Sequence, residues 1–280
     1  MAGGVLRAWR RIHNGERVFV TSRFPELFKH NPDVIGTVAE DRYQRFFKFF
    51  AKPFIWRVGT ALDVRTIKPT YPFPARGRHL MDSMAETIGI ALLPEERRPF
   101  LYLTRAEMNA QSWAKDCVAV QSSSTTYWTP NKNWTAGRMQ QVVNELNSLG
   151  YKIIQLGVKE AEALGNVKDL RGKTTLREGA AILANVKLFI GLEGGLIHTA
   201  RAVNCPAVVI YTGYTTPAET GYPENINLRA ESAGESCWSR VPCEHCKQSA
   251  DAIQVEEVIN HTRFIFEYGN AARNINDIRL

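Results

Sequence analysis

The stretch from Asn185 to Tyr211 leaves this chain few choices of fold. Residues 187–190 are a short apolar run, and residues 207–211, Ala-Val-Val-Ile-Tyr, are another. Each has the length and composition of a strand buried on both faces. Between them lie a tight loop over 191–195, Gly-Leu-Glu-Gly-Gly, and a segment over 196–203 that reads as a helix ended by Cys205-Pro206. Two such strands joined through a helix require a parallel sheet covered by helices.

The loop between them has the makings of an anion site. The first amides of a helix have no intrahelical partners, and the helix dipole is positive at that end. Gly194 and Gly195 carry no Cβ to hold a phosphate away from the backbone. Glu193 would repel a phosphate but can accept hydrogen bonds from a ribose or sugar hydroxyl, and His198 can donate to a phosphate oxygen. An ordinary strand-to-helix turn with a packed histidine is the competing reading, because short glycine motifs also match by chance.

The rest of the chain repeats the pattern. Strands are expected at 117–121 and 151–156, helices at 136–149 and 176–184, which makes four β-α steps with the opening stretch. In such sheets ligands bind outside the carboxyl ends of the strands, where the loops after Gln121, Leu156 and Ile190 all lie. The first of these loops carries Ser122-Ser123-Ser124 and then Lys132. Hydroxyls donate and a lysine neutralises charge, which suits a pyrophosphate. Ahead of this region a helix is expected at 7–13, strands at 17–21 and 34–38, and a helix at 79–88.

Composition bounds the class. A chain of 280 residues, 44% hydrophobic and 22% charged, makes one large or two modest globular domains. It has no apolar run of about 18 residues, and its opening residues turn charged at once, so neither a membrane span nor a secretory leader is expected. Five cysteines make no disulfide framework, and a reducing cytoplasm is the simplest setting. The net charge of +7 is uneven: residues 1–105 carry 18 Lys/Arg against 10 Asp/Glu, and the remainder 17 against 18. A basic face favours acidic partners. Residues 42–57 mix seven rings with five cations, a pattern of peripheral membrane contact or of helix packing on a sheet. No RNA-binding motif accompanies it, so nucleic acid is not expected as a partner.

Near the end, Cys237, Cys243 and Cys246 form a C-x5-C-x2-C cluster with His245 inside it. Thiolates at this spacing suit zinc or iron, with His245 or His261 as the open choices for a fourth ligand. Free thiols or a redox pair remain alternatives. Cys117 and Cys205, beside apolar runs, read as small core residues.

Glu193-Gly194-Gly195-Leu196-Ile197-His198 resembles the signature of glycosyltransferase family 9, the heptosyltransferase type, with Glu where the family usually has Asp. The resemblance implies a GT-B type fold: two facing Rossmann-like α/β domains, here with a shortened N-terminal one. It suggests an acceptor-side domain at 1–110, a donor-binding domain at 111–255, and a crossing helix and tail at 256–280. Ser123, Ser124 and Lys132 resemble the family's second donor motif, Glu160 its ribose-binding glutamate, and Thr174 a residue lining the nucleobase. The implied function is inverting transfer of heptose or a related sugar from a nucleotide-diphosphate donor to an acidic glycan or glycolipid, without a catalytic cofactor. The implied place is the cytoplasm, with the inner membrane face as a peripheral station. Gly3-Gly4-Val5-Leu6 stands where the family's N-terminal glycine loop would be; the usual aspartate base of that loop falls at Gly4, so Asp63 is taken as the substitute catalytic carboxylate alongside Lys132. A sugar-nucleotide epimerase and a degenerate nucleotide-sugar-binding protein are the alternatives.

Overall fold

The computed structural model describes residues 1–39, 74, 76–123 and 128–276, with side chains through residue 268. Asp63, Ser124 and the run at 42–57 lie outside the described residues. The chain divides into two compact units, one of Met1–Ala75 with Leu80–Thr104, the other of Arg76–His79 with Arg105–Leu280.

In the first unit, helix α1 (Ala2–Ile12) precedes strands β1 (Val18–Ser22) and β2 (Val34–Ala39), which pair in parallel, and helix α2 (Leu80–Glu86). Val5, Leu6, Ala8 and Trp9 bury one face of α1. Its basic residues reach outward: Arg11 makes a two-pronged contact with Glu96 at 2.7 and 2.9 Å, and Arg10 meets Asp33 at 3.2 Å. The expected glycine loop at the start is corrected here. Gly3 and Gly4 lie inside α1 and are buried. A Cβ on Gly4 would fall 2.6 Å from the Glu96 carbonyl oxygen, and one on Gly3 2.9 Å from that of Phe100. Glycine here lets a helix lie directly against neighbouring backbone, a role that sequence alone does not separate from a ligand loop.

The second unit is a six-stranded, wholly parallel sheet. Its elements in chain order are α3 (Arg105–Ala110), β3 (Cys117–Val120), α4 (Ala136–Ser148), β4 (Lys152–Gln155), β5 (Lys168–Asp169), α5 (Leu176–Asn185), β6 (Leu188–Leu192), α6 (Gly195–Ala202), β7 (Ala207–Tyr211), α7 (Pro217–Thr220), β8 (Ile226–Arg229), α8 (Glu244–Ala252) and α9 (Val255–Asn276). Successive strand residues feed opposite faces. Val118, Val120, Val208 and Ile210 join one apolar cluster with Trp134, Met139 and Leu146. Cys117, Ala119, Ala207 and Val209 join the other with Ile182, Leu183 and Ile197. Covering both faces explains why these strands are apolar throughout rather than alternating. Phe189, fully buried, contributes on the order of 2 kcal/mol by this transfer from water. Cys117 and Cys205 are buried in the second cluster, and Trp134 is buried in the first.

Strand order is β5-β4-β3-β6-β7-β8. The chain therefore builds outward from β3 in one direction, then returns to β6 and builds outward in the other. The point of reversal lies between β3 and β6, and in sheets of this kind ligands bind there, at the carboxyl ends of the strands. β6 continues through Gly191 and Leu192, so the loop begins at Glu193, two residues later than the sequence pattern suggests. Among the described residues no helix is long and apolar enough to cross a membrane.

Candidate functional site

The loops after β3 and β6 meet at the reversal point. Lys132 ends a short 3-10 turn (Pro130–Lys132) in which the Thr129 hydroxyl accepts from the Asn131 amide at 3.2 Å. Its Nζ lies 2.6 Å from Oε2 of Glu193, and both side chains are largely buried. That oxygen has no aligned hydrogen-bond donor, so the contact is a charge pairing that leaves acceptor capacity on the carboxylate. The ammonium also lies 4.9 Å from the centre of the Tyr214 ring, a placement in which the ring face attracts a cation.

Gly194 and Gly195 do different work. Gly194 has φ 155° and ψ −162°, a region essentially reserved for glycine, and it turns the chain from β6 into α6. Gly195, the first residue of α6, is exposed, and a Cβ there would meet nothing within 4 Å. Its side is the open approach to the helix amides. Leu196 packs against the core.

His198 follows on α6, its Nδ1 2.8 Å from the hydroxyl of Tyr222. Burial, and then the charges of Lys132 and His79, hold the imidazole well below its ordinary pKa, so it is neutral near pH 7. Burial pushes the Tyr222 phenol far up, so it keeps its proton. When that phenol donates to Nδ1, the imidazole carries its hydrogen on Nε2 and can donate it to an anion. His79 donates from Nε2 to the Gly221 carbonyl at 3.0 Å, and its ring meets Tyr222 edge-on.

Further bonds join the strand-end loops to one another and, through Thr212, to the Lys132 turn. Ser122 donates to the Glu162 carbonyl at 2.6 Å and accepts from Gln155 at 2.8 Å, joining the loops after β3 and β4. Ser123 accepts weakly from the Glu162 amide at 3.4 Å. The Gly172 amide donates to the Gly157 carbonyl, joining the loops after β4 and β5. Thr212, after β7, donates to the Asn131 carbonyl at 2.5 Å. The structure thus brings Lys132, Glu193 and His198 to one region. Glu160 is exposed on the turn after β4, and Thr174 is half-buried ahead of α5; neither shares a described bond with that group.

Asn131, Tyr214, Tyr222 and His79 were not singled out as site residues in the sequence. Tyr214 stands in the Tyr-Thr-Gly-Tyr-Thr-Thr-Pro segment after β7, which was a signal. Asn131 offered none beyond its place beside Lys132.

The cysteine cluster is also assembled. Ligand atoms of Cys237, Cys243, His245 and Cys246 all lie within 4.8 Å of one another. The sulfurs of Cys237 and Cys246 are 3.1 Å apart. Thiolates on one tetrahedral zinc would sit about 3.8 Å apart, so small movements would fit them to a metal. Cys243 caps the N-terminus of α8, where the Cys246 amide and other donors hold its thiol below the usual range. Burial pushes Cys246 far up. His245 donates from Nε2 to the Ala233 carbonyl at 2.6 Å, which leaves Nδ1 bare toward the sulfurs. That outer hydrogen bond is the usual way a ligating imidazole is oriented. Of the two histidines left open by the sequence, His245 is the one in the group.

Parallel sheets, a strand-order reversal and charged loops at the strand ends define a Rossmann-like α/β protein. The family model described as "Glycosyltransferase family 9 (heptosyltransferase)" matches residues 79–254, more than half of the sequence. The chain belongs to glycosyltransferase family 9. It is 24% identical over 119 residues to lipopolysaccharide heptosyltransferase 3 of Escherichia coli, covering 38% of this chain and 34% of that protein. It is 29% identical over 104 residues to lipooligosaccharide heptosyltransferase 2 of Haemophilus influenzae, covering 32% and 30%. The aligned stretch therefore spans about a third of these curated relatives' length. Among solved structures, the E. coli ADP-heptose LPS heptosyltransferase II superposes with a TM-score of 0.68 at 15% identity, covering 96% of this chain and 95% of that one. The iron-containing dodecameric glycosyltransferase TibC of enterotoxigenic E. coli superposes with a TM-score of 0.65 at 16% identity, covering 94% and 71%.

Proposed function

We propose that this chain transfers a sugar, heptose or a relative, from a nucleoside-diphosphate donor to an acidic glycan or glycolipid, with inversion. The observation that carries this reading is the meeting of Lys132, Glu193 and His198 at the reversal of the sheet, beside the free amides of α6. A diphosphate placed there gains the lysine, the imidazole and the helix amides as donors. Glu193 accepts from a ribose or sugar hydroxyl. Two solved relatives support the ligand class: TibC is described in complex with ADP-D-β-D-heptose, and E. coli WaaC with ADP.

In this reading residues 111–255 hold the donor and the basic residues of 1–110 favour an anionic acceptor at the cytoplasmic membrane face. Ser123 and Ser124 add hydroxyls to the diphosphate, Glu160 meets the ribose and Thr174 lines the nucleobase. The acceptor oxygen attacks the anomeric carbon as the bond to the diphosphate breaks. The acceptor proton passes to a carboxylate, assigned to Asp63, and the nucleoside diphosphate leaves with the added charge. Cys237, Cys243, His245 and Cys246 hold a structural zinc or iron, which supplies closure of the segment and no part of the transfer.

Lys132→Ala and His198→Ala test the donor site. Calorimetry with ADP is expected to show at least about tenfold weaker binding in Lys132→Ala, the scale of a charge-assisted contact to phosphate. Transfer from a nucleotide heptose should fall in both variants. Unchanged binding and turnover in both would overturn the assignment, and a changed sugar released from donor alone would indicate epimerisation instead.

A further inference from the structure

The cysteine cluster and the Lys132 turn share one buried side chain. Asn131 stands immediately before Lys132 and is 7% exposed. Its Nδ2 donates to the carbonyls of Ser239 at 2.9 Å and Val241 at 2.6 Å, and its Oδ1 accepts from the Cys243 amide at 3.0 Å. All three partners lie on the segment from Cys237 to Cys243 or at its end. Thr129, at the start of the same turn, also donates to the Ser239 carbonyl at 3.0 Å. Among the described residues, the bonds of this amide group all go to the segment between two of the cysteines and its end.

A second link runs through β7. The Cys237 amide donates to the Gly213 carbonyl at 3.0 Å, and the Trp238 amide to that of Tyr214 at 3.1 Å. A Cβ on Gly213 would fall 2.6 Å from Nδ1 of His245, so the imidazole lies flush on the loop. Tyr214 in turn faces the Lys132 ammonium. The cluster is therefore linked to Lys132 by two routes, through Asn131 in its own turn and through the Tyr214 ring that faces it.

We propose that Asn131 is a positioning residue that couples metal occupancy of the cysteine cluster to diphosphate binding by Lys132. Closing three thiolates and His245 around one ion fixes residues 237–246. Asn131 transmits that fixed position to the turn, so Lys132 is held where it meets a diphosphate. The argument rests on the donor-site reading given above. Coupling of this kind is reciprocal and typically amounts to a factor of about 5–150. ADP should therefore also slow removal of the metal by a chelator.

The test measures ADP affinity by calorimetry, with zinc or iron content determined on the same samples. The native protein is compared loaded and after chelation, and Asn131→Ala and Lys132→Ala are compared when loaded. Chelation is expected to weaken ADP binding about tenfold in the native protein. Asn131→Ala should weaken it by a similar factor while keeping its metal, and chelation should then add little. That loss of metal sensitivity is a readout that a merely destabilised fold would not give. Native ADP affinity in loaded Asn131→Ala, with Lys132→Ala impaired, overturns the coupling and leaves the donor site standing. Native affinity in Lys132→Ala overturns both. A native protein that takes up neither metal also overturns the proposal. Where Asn131→Ala does not fold, loaded and chelated native protein decide, and equal affinity in the two rejects it. Where the chelated protein does not fold, loaded Asn131→Ala decides.

Discussion

His198 and the two glycines of the β6 loop show how much one residue's surroundings decide. An unfolded-chain histidine titrates near 6.5, whereas the folded imidazole titrates well below that value because burial opposes its charge. The unfolded chain therefore binds more protons over that interval, and stability falls as pH drops from about 6.5 toward the folded pKa, then levels off. His198→Gln should remove this component, seen as a flatter dependence of the urea midpoint on pH over that window. The glycines separate in a similar way. Gly194→Ala should cost about 1–3 kcal/mol, since its backbone lies where side chains are strained. Gly195→Ala should leave the urea midpoint nearly unchanged, yet weaken ADP binding, because its Cβ would stand in the open approach to the helix amides. Equal effects of the two on stability would contradict the separate roles. The sequence shows two adjacent glycines and gives no means of telling them apart.

At the level of elements, what was legible followed from apolar pattern. β7 and the body of β6 were readable because a two-sided buried strand must be a run of apolar residues. α5 was expected at 176–184, and the structure adds what starts it, a capping box: Thr175 Oγ1 accepts from the Glu178 amide at 3.2 Å, and Glu178 Oε2 accepts from the Thr175 amide at 2.8 Å. Thr175→Ala should destabilise the chain by about 1 kcal/mol in urea unfolding, the cost of losing the cap. β5 escaped notice because it has two residues, Lys168 and Asp169, too few for any periodicity. β8 hides in Ile-Asn-Leu-Arg, where Leu228 alone is buried. α8 was read as part of a cysteine loop, since its surface is mostly polar and its buried side chains are Cys246, Ser249 and Ala250. Gly3 and Gly4 misled in the opposite sense, as the need for a close helix contact imitates a ligand loop. The charge pair of Lys132 with Glu193 was invisible because its members are 61 positions apart in the numbering and join only through the β3–β6 pairing.

For the molecule as a whole, the position of that pairing governs more than where a ligand sits. β3 lies between β4 and β6, yet β6 follows it by about seventy residues. A chain emerging from the ribosome shows β3 and β4 long before their neighbour exists. Through that interval a strand edge of Val118, Ala119 and Val120 stays open, an invitation to pair with another molecule. Lys132 meanwhile has no counter-charge. The second unit therefore has its most vulnerable moment midway through its own synthesis, and a ribosome stalled near residue 180 would release a sticky half-sheet rather than a smaller working domain.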